Sequence, residues 1–444
     1  MPMRLPSGKI VIMGGGPAGV FCACGLVELG LKAVIITRPR PFPAWEGMSE
    51  RPLNSLRHFG FPQTVASLGP LVARKSHWNG NAQIQNREYI LNRQTFDRAL
   101  LRDAKAKGVH IIEGRIEKVV RGAEKWHISY GPQTLTADFL VEARGRESRL
   151  GRARMAGDDD HVTAPATSAL LKSYHVPFGH SAMTSVAAFP AGWAWYMRDG
   201  QGTAILQIFV SSEKGELPSK EGLDQYFSRL TDQLPEAEVW LRDAQAHDNK
   251  VSVRTAAAMK TLPVGGDDFL VVGDGSLALD PLSGNGIFYA IGSGLSAVPV
   301  INTLMRRPED KELALQFYRE RIDFAFEGGC LMGKEFYASE QRWPEEAFWK
   351  RRSIWPPGEE PPPPQTTKTC KRPVVRDGYI ELEDVIVCAD HPRGVWQVDG
   401  VPLVKLLDLI RGGSNDDDNA TEFGVDKAQV TSARKWLTVR NITG

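Results

Sequence analysis

At 444 residues the chain is too long for one small core, and 42% hydrophobic with 24% charged residues is ordinary for a globular protein of two or three domains. A formal charge of +1 excludes bulk attraction to nucleic acid or to an anionic membrane surface. Five cysteines, an odd number with no metal-like clustering, argue against a disulfide framework and for a reducing, cytoplasmic setting; no metal site is expected.

In chain order, KIVIM at 9–13 is a short apolar run that meets glycines at once and reads as a buried strand. Residues 17–29 carry apolar side chains at helical spacing, and AVIIT at 33–37 is a second strand, so the three pieces make a βαβ unit. Cys22 and Cys24, one residue apart, lack the redox spacing and read as small buried helix residues. A helix is expected after Asn92, with Gly108 just past its end, and strands over 109–120, 126–130 and 137–143. From about 163 to 253 the pattern alternates (185–189, 194–198, 204–210), which predicts an antiparallel sheet interrupted by a helix over 223–234. FLVV at 269–272 returns to a buried parallel-type strand, followed by a Gly/Pro/Asn loop and a long small-residue helix from about Gly286. The longest apolar candidate for a membrane span, 278–300, is cut by Asp280, Pro281, Asn285 and several glycines, so no integral membrane segment is expected. The amino terminus lacks a signal-peptide design, because its apolar stretch is broken at once by Gly14-Gly15-Gly16. Prolines at 361–364 predict an extended, semi-rigid stretch. Strand-like pieces, an amphipathic helix over 402–410 and a polar loop over 412–419 follow it.

Three motifs carry chemistry. Gly14-x-Gly16-x-x-Gly19 stands between strand and helix: Gly14 permits the tight turn, Gly16 lets backbone approach a pyrophosphate, and Gly19 lets the helix pack closely, with Pro17 and Ala18 opening the helix. The phosphates then sit at a positive helix terminus. The acidic residue expected at the end of the second strand is missing; Thr37 and Arg38 stand there, Thr37 as a weaker ribose acceptor. Arg38 either stacks on adenine, contacts phosphate, or is a solvated loop charge. The second motif, VVGDGSLALDPLSGNGI, delivers Asp274 from a buried strand to the ribityl hydroxyls of a flavin. Pro281 stiffens its loop, and Gly284-Asn285-Gly286 opens a helix whose free N–H groups favour negative charge on a reduced ring. In the third, Arg93 at a helix start is a candidate ribose or phosphate contact or a surface arginine, with Arg51 as a further cofactor candidate. Only one dinucleotide fingerprint exists, because Gly265-Gly266, Gly328-Gly329 and Gly412-Gly413 lack the strand–turn–helix context. FAD is therefore the expected cofactor. NAD(P)H binds transiently, or a partner flavin reductase supplies reduced flavin.

With GGGPAG, R-x-x-F-D at 93–97, EARGRES and GDGSLALDPLSGNGI in place, the chain resembles, over residues 8–330, the flavoprotein superfamily of aromatic hydroxylases, geranylgeranyl reductases and flavin-dependent halogenases. That resemblance implies an α/β fold: a Rossmann-like FAD-binding domain (1–162 and 254–330) with an inserted antiparallel substrate domain (163–253, with strands near 76–92). A helical, proline-rich linker (331–375) and a small C-terminal α+β module (376–444) would follow. It also implies an FAD-dependent monooxygenase that takes molecular oxygen as co-substrate and acts through a flavin C4a-hydroperoxide. Gly192-Trp193-Ala194-Trp195 is similar to the halogenase G-W-x-W-x-I-P segment, but Tyr196-Met197-Arg198 replaces its Ile-Pro end. Lys75, followed by His77 and Trp78, corresponds to the essential halogenase lysine and makes Lys75 and His77 catalytic candidates, or solvent-facing residues. Trp193 and Trp195, at period two, share one strand face and either line an aromatic substrate pocket or are plain packing. Within the superfamily the chain most resembles flavoproteins that hydroxylate tryptophan within a polypeptide during tryptophylquinone maturation, which implies a small polypeptide substrate subunit as partner. A tryptophan or aromatic halogenase, a small-molecule hydroxylase and a geranylgeranyl-type reductase are the alternatives.

Overall fold

A computed structural model describes residues 9–148, 161–248, 250–358 and 366–442; the prolines at 361–364 lie outside them. The chain divides into two compact units, residues 1–306 with 318–357, and residues 307–317 with 358–444.

The first unit is built on a six-stranded sheet ordered Gly265–Gly266, Phe269–Val271, Phe139–Glu142, Lys9–Met13, Lys32–Thr37, His110–Glu113. All its neighbours are parallel except the first short pair. Ile10, Val11, Ile12 and Met13 are fully buried, as a strand covered on both faces requires. Helices Pro17–Glu28 and Gly286–Arg306 cover this sheet and touch through glycines. A Cβ on Gly25 would lie 2.7 Å from a Val298 methyl, and one on Gly294 would lie 2.3 Å from the Ala18 carbonyl oxygen. By length and composition Gly286–Arg306 could cross a membrane, but 61% of its apolar window is buried inside the fold. It is a core helix.

The run expected over 109–120 is two strands, broken where the chain turns at Gly114. His110–Glu113 joins the parallel sheet, and Ile116–Arg121 pairs with Trp126–Tyr130 in a separate three-stranded sheet. The other large sheet has nine strands. Its main path runs Gln245–Ala246, Thr167–His175, Thr203–Ser211, Gly192–Arg198, Met183–Phe189, Leu71–Trp78, Asn81–Asn92, Trp45–Ser49. A hairpin from the first half of the chain therefore joins strands from the second. It turns on Asn79 and Gly80, with φ of 49° and 76°, the left-handed pair that a two-residue turn needs. One face of this sheet packs Ala187, Tyr196 and Leu206 under helix Leu223–Thr231 and Trp240; the other packs Trp193, Trp195 and Phe209 against Leu282, Tyr337 and Trp349.

The expected linker over 331–375 is largely part of this unit. Residues through 338 complete helix Lys311–Ala338, and helix Ala347–Ser353 buries Phe348 and Trp349 in the sheet core, where such large apolar side chains give the segment a fixed seat. In the second unit, antiparallel strands Lys368–Arg376, Tyr379–Cys388 and His391–Val395 accompany helices Leu403–Arg411, Asp416–Phe423 and Lys427–Val439. The polar loop expected over 412–419 gives way to a helix at residue 416. Asn415 Oδ1 accepts from the N–H groups of Asp417 and Asp418 at 2.9 and 3.0 Å, and three aspartates occupy the positive first turn.

Candidate flavin site

The first glycine turn leaves strand Lys9–Met13 with Gly14 at φ +117°, and a Cβ there would sit 2.4 Å from the Ala143 carbonyl oxygen. Only glycine fits. A Cβ on Gly19 would stand 2.2 Å from the Gly14 carbonyl oxygen, so helix Pro17–Glu28 packs directly on the turn, whereas one on Gly16 would meet nothing within 4 Å. No side chain caps the helix and no acid occupies its first turn, so its N–H groups remain for an anionic ligand. An open Gly16 at an uncapped helix start fits a pyrophosphate.

Thr37 Oγ1 accepts the Gly15 N–H at 3.0 Å, so this hydroxyl holds the turn itself. Arg38 is exposed and, among the described residues, has no charged partner. On the adjoining strand, fully buried Glu142 receives Arg144 through Nε at 2.9 Å and the guanidinium NH2 group at 2.5 Å. Burial opposes the Arg144 charge, but Glu142 more than offsets it and raises the guanidinium pKa.

The second motif abuts the first: a Cβ on Gly273 would lie 2.8 Å from that of Ala18. Asp274 has no hydrogen-bond partner among the described residues and is free to accept ligand hydroxyls. Burial raises its pKa; Arg146 works against that rise, Glu46 adds to it, and Arg93 again opposes it. Arg146 is anchored by donating to the Ala257 carbonyl at 2.7 Å. Arg93 is closed into ion pairs with Glu46 at 2.8 Å and Asp97 at 3.0 Å, which raise its pKa against the effect of burial. Arg51, exposed at a helix start, stands 5.9 Å from the Phe288 ring centroid.

The following loop is held from inside. Asp280 Oδ1 accepts the Leu282 N–H at 2.9 Å, Pro281 begins the turn, and Gly284 takes φ +63°. Asn285 is half-buried, and Gly286 starts the long helix with open space at its Cβ position. Asp280 Oδ2 accepts from the Tyr337 hydroxyl at 2.8 Å, and that hydroxyl accepts from Trp193 Nε1 at 3.2 Å. Burial pushes both the Asp280 and the Tyr337 pKa up. This chain of bonds ties the nine-stranded sheet to the flavin loop. Trp193 is stacked on Phe209 at 3.8 Å, and Trp195 donates to the buried Glu88 at 3.2 Å, so both are packed walls with satisfied N–H groups.

Lys75 and His77 are not brought to this loop. In strand Leu71–Trp78, Val72, Arg74, Ser76 and Trp78 share the tryptophan face, and Arg74 reaches the Leu282 carbonyl at a long 3.5 Å. Lys75 and His77 point to the opposite face, where His77 Nδ1 meets Glu236 at 2.8 Å. Of the two readings open for Lys75 and His77, catalytic or solvent-facing, strand alternation puts both side chains on the face away from the tryptophans. Sequence reading missed Arg146, Glu46, Asp280 and Tyr337 as site residues. Arg146 lay inside the EARGRES segment and Asp280 inside the flavin loop; Tyr337 fell in the presumed linker and had no local signal.

A glycine turn at an uncapped helix start, the carboxylate of Asp274 free of hydrogen bonds among the described residues, and a glycine-rich loop opening a second helix fit an FAD-binding enzyme. The Tryptophan halogenase family matches residues 44–362, and the chain belongs to it. The solved structure of QhpG, a peptidyl tryptophan dihydroxylase essential for tryptophylquinone cofactor biogenesis, is 36% identical with a TM-score of 0.83, covering 97% of this chain and 98% of that one. LodB of Marinomonas mediterranea, a putative FAD-dependent oxidoreductase, is 24% identical, covering 77% of this chain and 96% of LodB. The fold alone extends to CmlS, a flavin-dependent halogenase, at 17% identity and a TM-score of 0.72 over 94% and 95% of the two chains. The chain is an FAD-dependent oxidoreductase of the monooxygenase type.

Proposed function

We propose that the protein hydroxylates a tryptophan side chain held within a polypeptide, on the way to a tryptophylquinone cofactor. The observation that carries this is the likeness to QhpG along essentially both whole chains, second unit included. Bound FAD supplies oxygen activation; the chain's part is to bind and orient it and to keep water out. Asp274 and the Gly14–Gly19 turn hold the cofactor, the Tyr337–Asp280 bond fixes the loop, and the Trp193, Trp195 and Phe209 wall excludes water. NAD(P)H binding in passing, or a separate flavin reductase, provides electrons, since the sequence carries one dinucleotide fingerprint. The setting is the cytoplasm.

Halogenation is the second reading, favoured by the family itself. Against it stand the missing Ile-Pro after Trp195 and the orientation of Lys75 away from the flavin loop. Intact-mass analysis decides: holoenzyme, reductant, bromide and tryptophan-containing polypeptides are incubated under heavy-oxygen gas. Heavy oxygen on the tryptophan supports hydroxylation. Bromine in its place, or two added hydrogens without oxygen, overturns it.

A further inference from the structure

On the face of the nine-stranded sheet away from the flavin loop lies a cavity of about 480 Å³, a volume ordinary for a ligand pocket. Its wall is strand Leu71–Trp78 beside Met183–Phe189, where Lys75 is in register with Ser185. Behind its wall Ser185 Oγ and Glu236 Oε2 are buried without a partner, and the other Glu236 carboxylate oxygen holds His77. Met183 and Trp240 give the cavity apolar sides, and Ile84 and Val239 form an apolar rim, 67% and 60% exposed. Lys75 is exposed and, among the described residues, has no ion-pair partner.

The rim continues into an open sheet edge. Strand Asn81–Asn92 pairs on its outer side with Trp45–Ser49 only from Glu88 onward. Among the described residues no strand pairs with the outer side of residues 81–87, all of them exposed. The edge is polar, with Asn81, Gln83, Gln85 and Asn86, and a register shift opposite Arg74 and Lys75 bends it, which discourages self-association. It carries neither proline nor lysine that would bar an added strand. Seven residues span about 23 Å, the length of an ordinary strand.

We propose that this edge and cavity form a docking site for an extended polypeptide segment. The backbone of the segment pairs with residues 81–87. One side chain of the segment, a large apolar one such as an indole, enters the cavity between Met183 and Trp240, while Lys75 meets backbone carbonyls or a carboxylate beside it. The proposal rests on the polypeptide-hydroxylase reading and adds to it the surface that grips the substrate away from the reacting ring.

The test is fluorescence anisotropy of the FAD-loaded enzyme with an end-capped, labelled seven-residue peptide alternating threonine and valine around a central tryptophan. Saturable binding is expected, weakened about tenfold or more by backbone N-methylation, by central aspartate in place of tryptophan, and by Ile84→Asp or Val239→Asp. Both substitutions fall on exposed side chains and leave flavin content unchanged. Equal binding of the N-methylated peptide, no saturable binding, or indifference to both substitutions overturns the docking site. The assay involves no flavin chemistry, so the two ideas fail separately. Edge-dependent peptide binding, with no heavy oxygen on tryptophan in any polypeptide of the mass assay, sinks the hydroxylase reading alone, and oxygen transfer there with edge-insensitive peptide binding sinks this one.

Discussion

Replacing Tyr337 by phenylalanine deletes one oxygen atom that serves two buried partners. The hydroxyl donates to Asp280 Oδ2 at 2.8 Å and accepts from Trp193 Nε1 at 3.2 Å, and Tyr337 and Trp193 are 3% and 2% exposed. In Tyr337→Phe both partners lose this bond, at roughly 1–3 kcal/mol each, so the loss is about 2–6 kcal/mol. For a unit this large, about 2 °C per kcal/mol gives a Tm lowered by about 4–12 °C. With Oδ2 released, the loop from Pro281 to Gly286 loses its tie to the sheet, and FAD affinity, read by flavin fluorescence quenching, weakens about tenfold. The double variant Tyr337→Phe with Trp193→Phe should cost less than the two single changes summed, because the second change removes a group the first had stranded. A Tm within about 1 °C of the parent, together with unchanged FAD affinity, would refute the tie.

Gly14→Ala places a methyl 2.4 Å from the Ala143 carbonyl oxygen at φ +117°, and purified protein should retain less than about a tenth of its FAD, by absorbance ratio. Trp195→Phe strands Glu88 Oε1, whose sister oxygen Oε2 has Arg74 Nε only at 4.0 Å, and the denaturation free energy should fall by about 1–3 kcal/mol; an unchanged midpoint contradicts this. In the second unit, hydrogen bonds from Arg440 and then Cys388 hold the Asp390 carboxyl down to about 2. The unfolded chain takes up that proton in the ordinary aspartate range, so the stabilisation is present above that range and lost as pH falls toward about 2. Calorimetric melts of parent and Asp390→Asn should accordingly converge through that window, and a constant difference would count against the assignment.

Long-period patterns were legible in the sequence, and parity was not. Ile10 to Met13, Phe139 to Glu142 and Phe269 to Val271 are runs buried on both faces, so composition alone marks them as parallel strands. Asn92 as a helix cap and Gly14, Gly16 and Gly19 as a turn are local chemistry, readable from neighbours. Asn79-Gly80, Asp377-Gly378 and Asp399-Gly400 were equally local, each a left-handed pair between two strands, and would have located three hairpins. Tyr337 and Arg146 reach the flavin loop only through tertiary packing, over sequence separations of 57 and 133 residues to the groups they bond, and no window of sequence holds that information.

Parity is also where the chemistry divides. Adjacent cations Arg74 and Lys75 differ by one position, and a strand sends consecutive side chains to opposite faces. Arg74 stands with Glu88 and the Leu282 carbonyl on the flavin side, whereas Lys75 stands with Ser185 and Glu236 on the other. The two therefore have separable effects. Arg74→Ala removes a cation whose side chain is 12% exposed beside a buried carboxylate, and it should lower turnover at saturating polypeptide by about tenfold or more. Lys75→Ala should leave that saturated rate alone and raise only the concentration of polypeptide needed to reach it. A collapse of the saturated rate in Lys75→Ala, with FAD content intact, would mean that the lysine meets the reacting centre after all. The strand would then have to slip by one residue on binding substrate, carrying Arg74 away from Leu282 and exposing Val72 and Ser76 of the tryptophan face.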